Sequence, residues 1–174
     1  MAVQNAERLF REYHATLVRY LTRRLGDRDW AEEVAQETFV RALRQEAIVN
    51  ERSWLFTVAT NLIRDEARRM ARERRHLEVM AAEAREVEQE APALTLERAQ
   101  DASDARRALD ALGERDRHAL LLKEEGLDYA EIGEVLGIEK ASVGTTLSRA
   151  RRRLAETFEA LQDERRRREQ HAAS

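Results

Sequence analysis

The chain has 174 residues, with 31 basic against 34 acidic side chains, 37% charged residues, 5% aromatics and one proline. That profile excludes a β-sandwich or barrel, which needs more turn residues and more β-branched and aromatic runs. Zero cysteines exclude a disulfide scaffold, a thiol nucleophile and a cysteine-ligated metal.

Taken in chain order, the pattern predicts an all-α protein. From Ala6 the apolar residues recur at Leu9, Phe10, Tyr13, Leu17, Leu21 and Leu25. This helical period marks a first amphipathic helix, which Gly26 and Asp27 end. A second helix carries Ala31, Val34, Ala35, Thr38, Phe39, Ala42 and Leu43 on one face. Residues 44–52 break the pattern and read as a loop. A third helix starts near Ser53, with Leu55, Val58, Ala59, Leu62, Ile63 and Met70 as its apolar side. Three helices of this size can share one small core, so residues 1–75 form a first domain.

Residues 76–100 lose the stripe and fill with Glu and Ala, and Pro92 must stop any helix begun upstream. They read as an acidic linker, helical in part before Pro92; a long surface helix is the alternative. A second helical domain spans 101–165. Helices are expected at about Ser103–Leu112 and Glu114–Glu125, the latter closed by Gly126. Asp128 stands three residues before Glu131, a capping box that opens a short helix, Tyr129–Leu136. Gly137 ends it, and a last helix runs from about Lys140 to Leu161 with Val143, Leu147, Ala150, Leu154, Phe158 and Leu161 inward. A short helix, a glycine turn and a longer helix make the helix-turn-helix pattern. Residues 166–174 read as a flexible tail. The expected fold is therefore all-α: two small helical domains joined by a linker, the C-terminal one a helix-turn-helix.

No apolar run approaches the ~18 residues of a membrane span. The N-terminus lacks the apolar core of a signal peptide, and the expected compartment is the cytoplasm. Catalysis has little to stand on. His14, His76, His118 and His171 are scattered, and Glu73 and His76 make a single Glu-x-x-His pair where a bundle di-iron site needs two. There is no glycine-rich phosphate loop and no nucleophile elbow. The expectation is no enzyme, no cofactor and no metal.

Charge points elsewhere. Residues 1–75 hold 15 Arg against 12 acids, whereas 76–112 hold 4 Arg against 9 acids. Six Arg fall within Arg64–Arg75 and four within Arg149–Arg153. Clustered basic faces, not net charge, mark nucleic-acid contact. On the third helix Asn61, Arg64, Asp65, Arg68, Arg72 and Arg75 share the face opposite the apolar stripe. Asn suits a base edge, and Arg suits phosphate or guanine. The plainer reading of that face is a solvated charged surface. On the last helix, Thr145, Arg149, Arg152 and Arg153 lie away from the stripe. The start of a recognition helix enters the major groove and later residues meet phosphate. Lys140, Ala141, Thr145 and Arg149 are thus candidates for base contact, and Arg152 and Arg153 for phosphate. The plainer reading here is a helical hairpin in which Arg149 only packs.

These segments resemble a known family. AEEVAQETFVRALR (31–44) resembles the core-polymerase-binding helix of bacterial sigma factors, and RSWLFTVATNLIRDEARR (52–69) resembles the helix that reads the −10 element. LDALGERDRHALLLKEEGLDYAEIGEVLGIEKASVGTTLSRARRRL (109–154) resembles the −35-reading helix-turn-helix. Order, spacing and acidic linker resemble the extracytoplasmic-function (ECF) group, the minimal two-domain sigma factors.

The resemblance implies partners: core RNA polymerase, through its clamp helices and flap, promoter DNA, and a cognate anti-sigma factor. It implies nucleoid association within the holoenzyme and no insertion in a membrane. Val34, Gln36, Glu37 and Phe39 lie in the segment that docks on the clamp helices. Gln36 and Glu37 are polar and off the stripe, as interface residues should be, whereas Phe39 is on it and reads as core. The loop 44–52 matches the one that receives a flipped −10 base. Asn61 and Leu62 stand where primary sigma factors carry a melting tryptophan pair, which implies weaker melting and a stricter promoter. The acidic linker matches the segment threaded toward the polymerase active centre. One departure is local. Where relatives often read Thr-Val-Lys-Ser-Arg-Leu, this chain has Ser142, Val143, Gly144, Thr145, Thr146 and Leu147. Two basic residues are missing, and a mid-helix glycine costs ~1 kcal/mol relative to Ala while allowing close backbone approach to DNA. Two rivals predict different behaviour. A stand-alone helix-turn-helix regulator binds DNA without polymerase, and a charged helical adaptor is indifferent to Arg substitutions.

Overall fold

Apolar side chains at helical spacing drive each segment to bury one face. A computed structural model of the chain describes residues 2–77 and 96–172, with side chains over 7–72 and 100–171. The helices are α1 (Ala2–Leu25), α2 (Arg28–Leu43), α3 (Glu51–Leu77), α4 (Leu96–Asp110), α5 (Glu114–Glu124), α6 (Tyr129–Leu136) and α7 (Lys140–Ala172). Among the described residues there is no strand. The chain divides into two units, Met1–Gln89 and Glu90–Ser174. The linker segment 76–100 contributes residues 76–77 to α3 and 96–100 to α4; the rest of it, Pro92 included, lies outside the described residues. So do the side chains of Glu73, Arg75 and His76, and residues 173–174.

In the N-terminal unit α2 packs against both α1 and α3. Gly26 ends α1 in the left-handed region, at φ 76°. Asp27, expected to help end α1, instead opens α2: its carboxylate accepts the Trp30 backbone N–H at 3.0 Å. The core is Leu9, Leu17, Tyr20 and Leu21 of α1, Ala31 and Ala35 of α2, and Leu55, Phe56 and Ala59 of α3. Arg24 Nη1 donates to Tyr20 Oη and to Thr60 Oγ1, each at 3.1 Å, and so ties α1 to α3. The buried side of α3 differs from the expected stripe. Phe56 and Thr60 are buried, Val58 and Leu62 are half-buried, and Met70 is exposed, because burial on α3 stops at Ile63.

In the C-terminal unit α7 packs against α4, α5 and α6. Its core holds Ala108, Leu112, Ala119, Leu122, Leu127, Ile132, Val143, Leu147 and Ala150. The short helix α6 has the predicted bounds. Asp128 Oδ1 accepts from Ala130 N at 2.7 Å and Glu131 N at 2.9 Å, and the Asp128 N–H donates to Glu131 Oε2 at 2.8 Å. Gly137 caps it in the left-handed region, at φ 66°. Two boundaries differ from expectation. α4 begins at Leu96 rather than near Ser103, and α7 continues to Ala172 rather than ending near Leu161, so Arg166–Ala172 are helical. Past Leu161, Arg165 meets Asp101 at 2.7 Å and Asp104 at 3.2 Å, which ties this part of α7 to α4.

Candidate nucleic-acid interface

The first candidate residues stand on α2. Gln36 is exposed, and Glu37 is half-buried and accepts from Arg41 Nε at 2.9 Å. Val34 is only 7% exposed. Its side chain belongs to the core, and its edge reaches a shallow groove of about 470 Å³. Trp30, Glu33, Glu37 and Leu62 line the same groove, so α2 and α3 share one surface there. Phe39 is buried at 6%, as its place on the stripe predicts, and packs edge-on to Phe10 with ring centroids 5.1 Å apart.

On α3 the helix itself gathers the predicted polar face. Asn61, Arg68 and Arg72 are exposed and Arg64 is half-buried. Arg68 lies 3.5 Å from Asp65, and Arg72 Nε donates to the Arg68 carbonyl at 3.3 Å. These are loose surface contacts, worth a fraction of a kcal/mol. They leave the guanidinium groups able to turn to an anion.

On α7 the residues predicted together do not behave alike. Lys140, Ala141 and Thr145 are exposed on the first turns. Arg152 is exposed, with Glu156 3.9 Å away. Arg149, for which the sequence left base contact and packing both open, is held by a carboxylate. Its Nη2 donates to Asp116 Oδ1 at 2.5 Å and its Nε to Asp116 Oδ2 at 3.2 Å, a two-pronged grip on α5. Arg153 Nη1 joins the same carboxylate at 3.3 Å. The Asp116 side chain is 4% exposed while those of Arg149 and Arg153 are 40% and 56% exposed. The Arg149 hydrogen bonds hold the Asp116 carboxyl below the ordinary aspartate range, against the upward push of burial. The same bond raises the Arg149 guanidinium above its usual value. The β-carbon direction at Gly144 points at the Tyr129 ring, 3.5 Å away, so the space left by the missing side chain faces a neighbouring helix.

Asp116 and Tyr129 are the residues that sequence reasoning passed over. A signal existed for Asp116. Traced back from Leu122 and Ala119, the buried face of α5 lands on it, and a carboxylate in a core position requires a partner. Tyr129 is 38% exposed beside the first turns of α7, with Lys123 Nζ 5.5 Å from its ring centroid. Among the described residues no three His, Asp or Glu side chains are grouped to hold a metal, and no helix is long and apolar enough to cross a membrane.

Comparison with known proteins places these elements. The sigma-70 region 2 family matches residues 9–73, which contain α2 and most of α3, and the sigma-70 region 4 family matches residues 103–154, which contain the helix-turn-helix. The chain is 31% identical to RNA polymerase sigma factor YlaC of Bacillus subtilis, over 92% of this chain and 95% of that one. It is 34% identical to the ferric citrate uptake sigma factor FecI of Escherichia coli, over 83% and 85%. It is also 34% identical to the ECF RNA polymerase sigma factor SigL of Mycobacterium tuberculosis, over 88% of each chain. In fold it is similar to the sigma factor RpoE of Bartonella quintana, solved in complex with the anti-sigma factor NepR. That match has a TM-score of 0.64 at 24% identity and covers 86% of this chain and 95% of that one. With both regions present in order and relatives matched over nearly their whole length, the chain belongs to the ECF group of sigma-70 RNA polymerase sigma factors, which recognise promoters and initiate transcription.

Proposed function

We propose that each basic helix face has one promoter element. Asn61, Arg64, Arg68 and Arg72 on α3 meet the −10 element, with Asn61 on a base edge and the arginines on phosphate. Lys140, Ala141, Thr145 and Arg149 at the start of α7 meet −35 bases, and Arg152 and Arg153 meet the flanking phosphates. Gln36 and Glu37, beside the groove edged by Val34, dock on the clamp helices of core polymerase, and the C-terminal unit meets the flap. The protein contributes no covalent chemistry of its own, and it works in the cytoplasm, where polymerase and promoter are. A cognate anti-sigma factor holds it inactive, a reading supported by the RpoE neighbour, which was solved with one.

The observation that carries the −35 assignment is the capped α6, the left-handed Gly137 and the exposed first turns of α7 in direct succession. That arrangement projects the start of one helix away from its own core, as major-groove entry requires. In vitro transcription with purified core polymerase on a promoter library tests the reading. Transcripts that start from a shared −35/−10 pair only when the protein is added support it. Tight promoter binding without polymerase, and no polymerase-dependent initiation, overturns it in favour of a stand-alone regulator.

A further inference from the structure

The carboxylate of Asp116 lies under the basic face of α7, against Arg149 and Arg153. It is buried, it stands on a different helix, and it grips Arg149 by the Nε and Nη2 edge of the guanidinium. A guanidinium carries five N–H donors in a flat fork. With one edge committed to Asp116, the end-on pair, Nη1 and the second Nη2 hydrogen, remains for another partner. That end-on pair is suited to the O6 and N7 acceptors of a guanine in the major groove. The exposure of Arg149, 40% of its side chain, leaves the fork reachable from solvent.

We propose that Asp116 is a positioning residue for −35 readout: it locks Arg149 with its end-on edge outward, so that Arg149 reads one base instead of seeking the nearest phosphate. The inference rests on the assignment of α7 to the −35 element. An unheld arginine beside duplex DNA is drawn to the backbone, where charge density is greatest and sequence is not read. Asp116 opposes this in two ways. It fixes the orientation of the guanidinium, and its negative charge offsets part of the positive field of Arg149 and Arg153, which weakens binding to arbitrary DNA. The arrangement trades total affinity for discrimination. A buried ion pair serving only to hold α5 against α7 has no such consequence.

The test uses holoenzyme made with the full-length protein and measures binding to promoters that differ singly at −35 positions, at several salt concentrations. Three variants are compared: Asp116→Asn, Arg149→Ala and the double. Asp116→Asn keeps the size of the side chain but cannot accept both N–H groups. It is expected to lose roughly ten-fold of the preference at one −35 position. Its binding to unrelated DNA should rise, with a salt dependence steeper by about one released counterion. In the Arg149→Ala background the same change should alter preference no further. Arg149→Lys, which keeps Asp116 paired but has no fork, is a second route if Asp116→Asn does not fold. It should lose the same preference while retaining overall affinity. If Arg149→Ala binds every −35 variant with wild-type preference, the base-reading assignment itself fails. If Arg149→Ala loses preference while Asp116→Asn keeps it, or if Arg149→Lys keeps it, the assignment stands and the positioning role is overturned.

Discussion

Gly133 and Ile138 lie so close that a β-carbon on the glycine would stand 2.8 Å from the Ile138 carbonyl oxygen. The Ile138 N–H donates to the Gly133 carbonyl at 2.9 Å, so the turn of the helix-turn-helix folds back directly onto α6. The obstructing atom is backbone and cannot rotate aside. Gly133→Ala should therefore suffer overpacking, typically ~1–3 kcal/mol, against the ~1 kcal/mol that alanine gains over glycine within a helix. A net loss of up to about 2 kcal/mol is expected by this balance. Gly144→Ala is the contrast: its β-carbon meets only the Tyr129 ring at an ordinary 3.5 Å. It should stabilise the C-terminal unit by up to about 1 kcal/mol. Urea titration of the full chain, followed by circular dichroism, checks both. The fluorescence of Trp30 and Trp54, both in the N-terminal unit, is the internal control. Equal effects of the two substitutions would contradict the packing described.

The Asp116 carboxyl carries a pH dependence. Arg149 lowers its folded pKa below the unfolded value. The sign follows from proton linkage: the pairing stabilises fully above the ordinary aspartate pKa of about 4 and is lost as pH falls through it toward the lowered folded value. Wild-type protein should lose this contribution to stability as pH falls below about 4. Asp116→Asn should be less stable at neutral pH and decline less on acidification. Urea midpoints at neutral pH and near pH 3 decide between this and an acid limb set by other groups, for which the two proteins would decline in parallel.

On α2, Gln36 is exposed and Glu37 half-buried, while Val34 and Phe39 beneath them hold the helix to its core. The double substitution Gln36→Ala, Glu37→Ala should leave the melting temperature within a few degrees of wild type, since surface changes usually fall within about 0.5 kcal/mol. Core-polymerase affinity should fall at least ten-fold, the effect of losing ~1.4 kcal/mol of interface energy. A pull-down titration with core polymerase measures it. Undiminished binding would remove these residues from the docking surface.

On α3, Asn61 and Arg68 are both exposed but differ in what they can recognise. Asn61→Ala should relax preference at a −10 position, with a base contact worth ~1–3 kcal/mol of discrimination. Arg68→Ala should weaken every promoter alike and reduce the salt slope by about one. Transcription from a −10 library at two ionic strengths separates them. An unchanged −10 preference for Asn61→Ala would rule out base reading there.

Much of the fold was legible in order of residues alone, because its determinants are local. The α6 boundaries follow from Asp128 and Glu131 three residues apart and from Gly137 one step past the last apolar residue. The apolar period of α7 announced Val143, Leu147 and Ala150, all of them buried. The exposure of Gln36, Asn61, Lys140 and Thr145 likewise follows from their place off each stripe.

What remained for the tertiary structure was every pairing between helices distant in sequence. No periodicity could show that Arg165, past Leu161 on α7, meets Asp101, 64 residues earlier. Nor could it show that Phe56, not Met70, is core on α3, since that depends on where neighbouring helices stop covering it. Arg149 is the sharpest case. Its helical face offered a base contact or a packing role without naming a partner, and a carboxylate 33 residues upstream takes one edge of its guanidinium. A helix face says only which way a side chain points. The partner it meets is decided by packing, because an ionised group in a core position must be paired wherever the fold brings a counter-charge within reach.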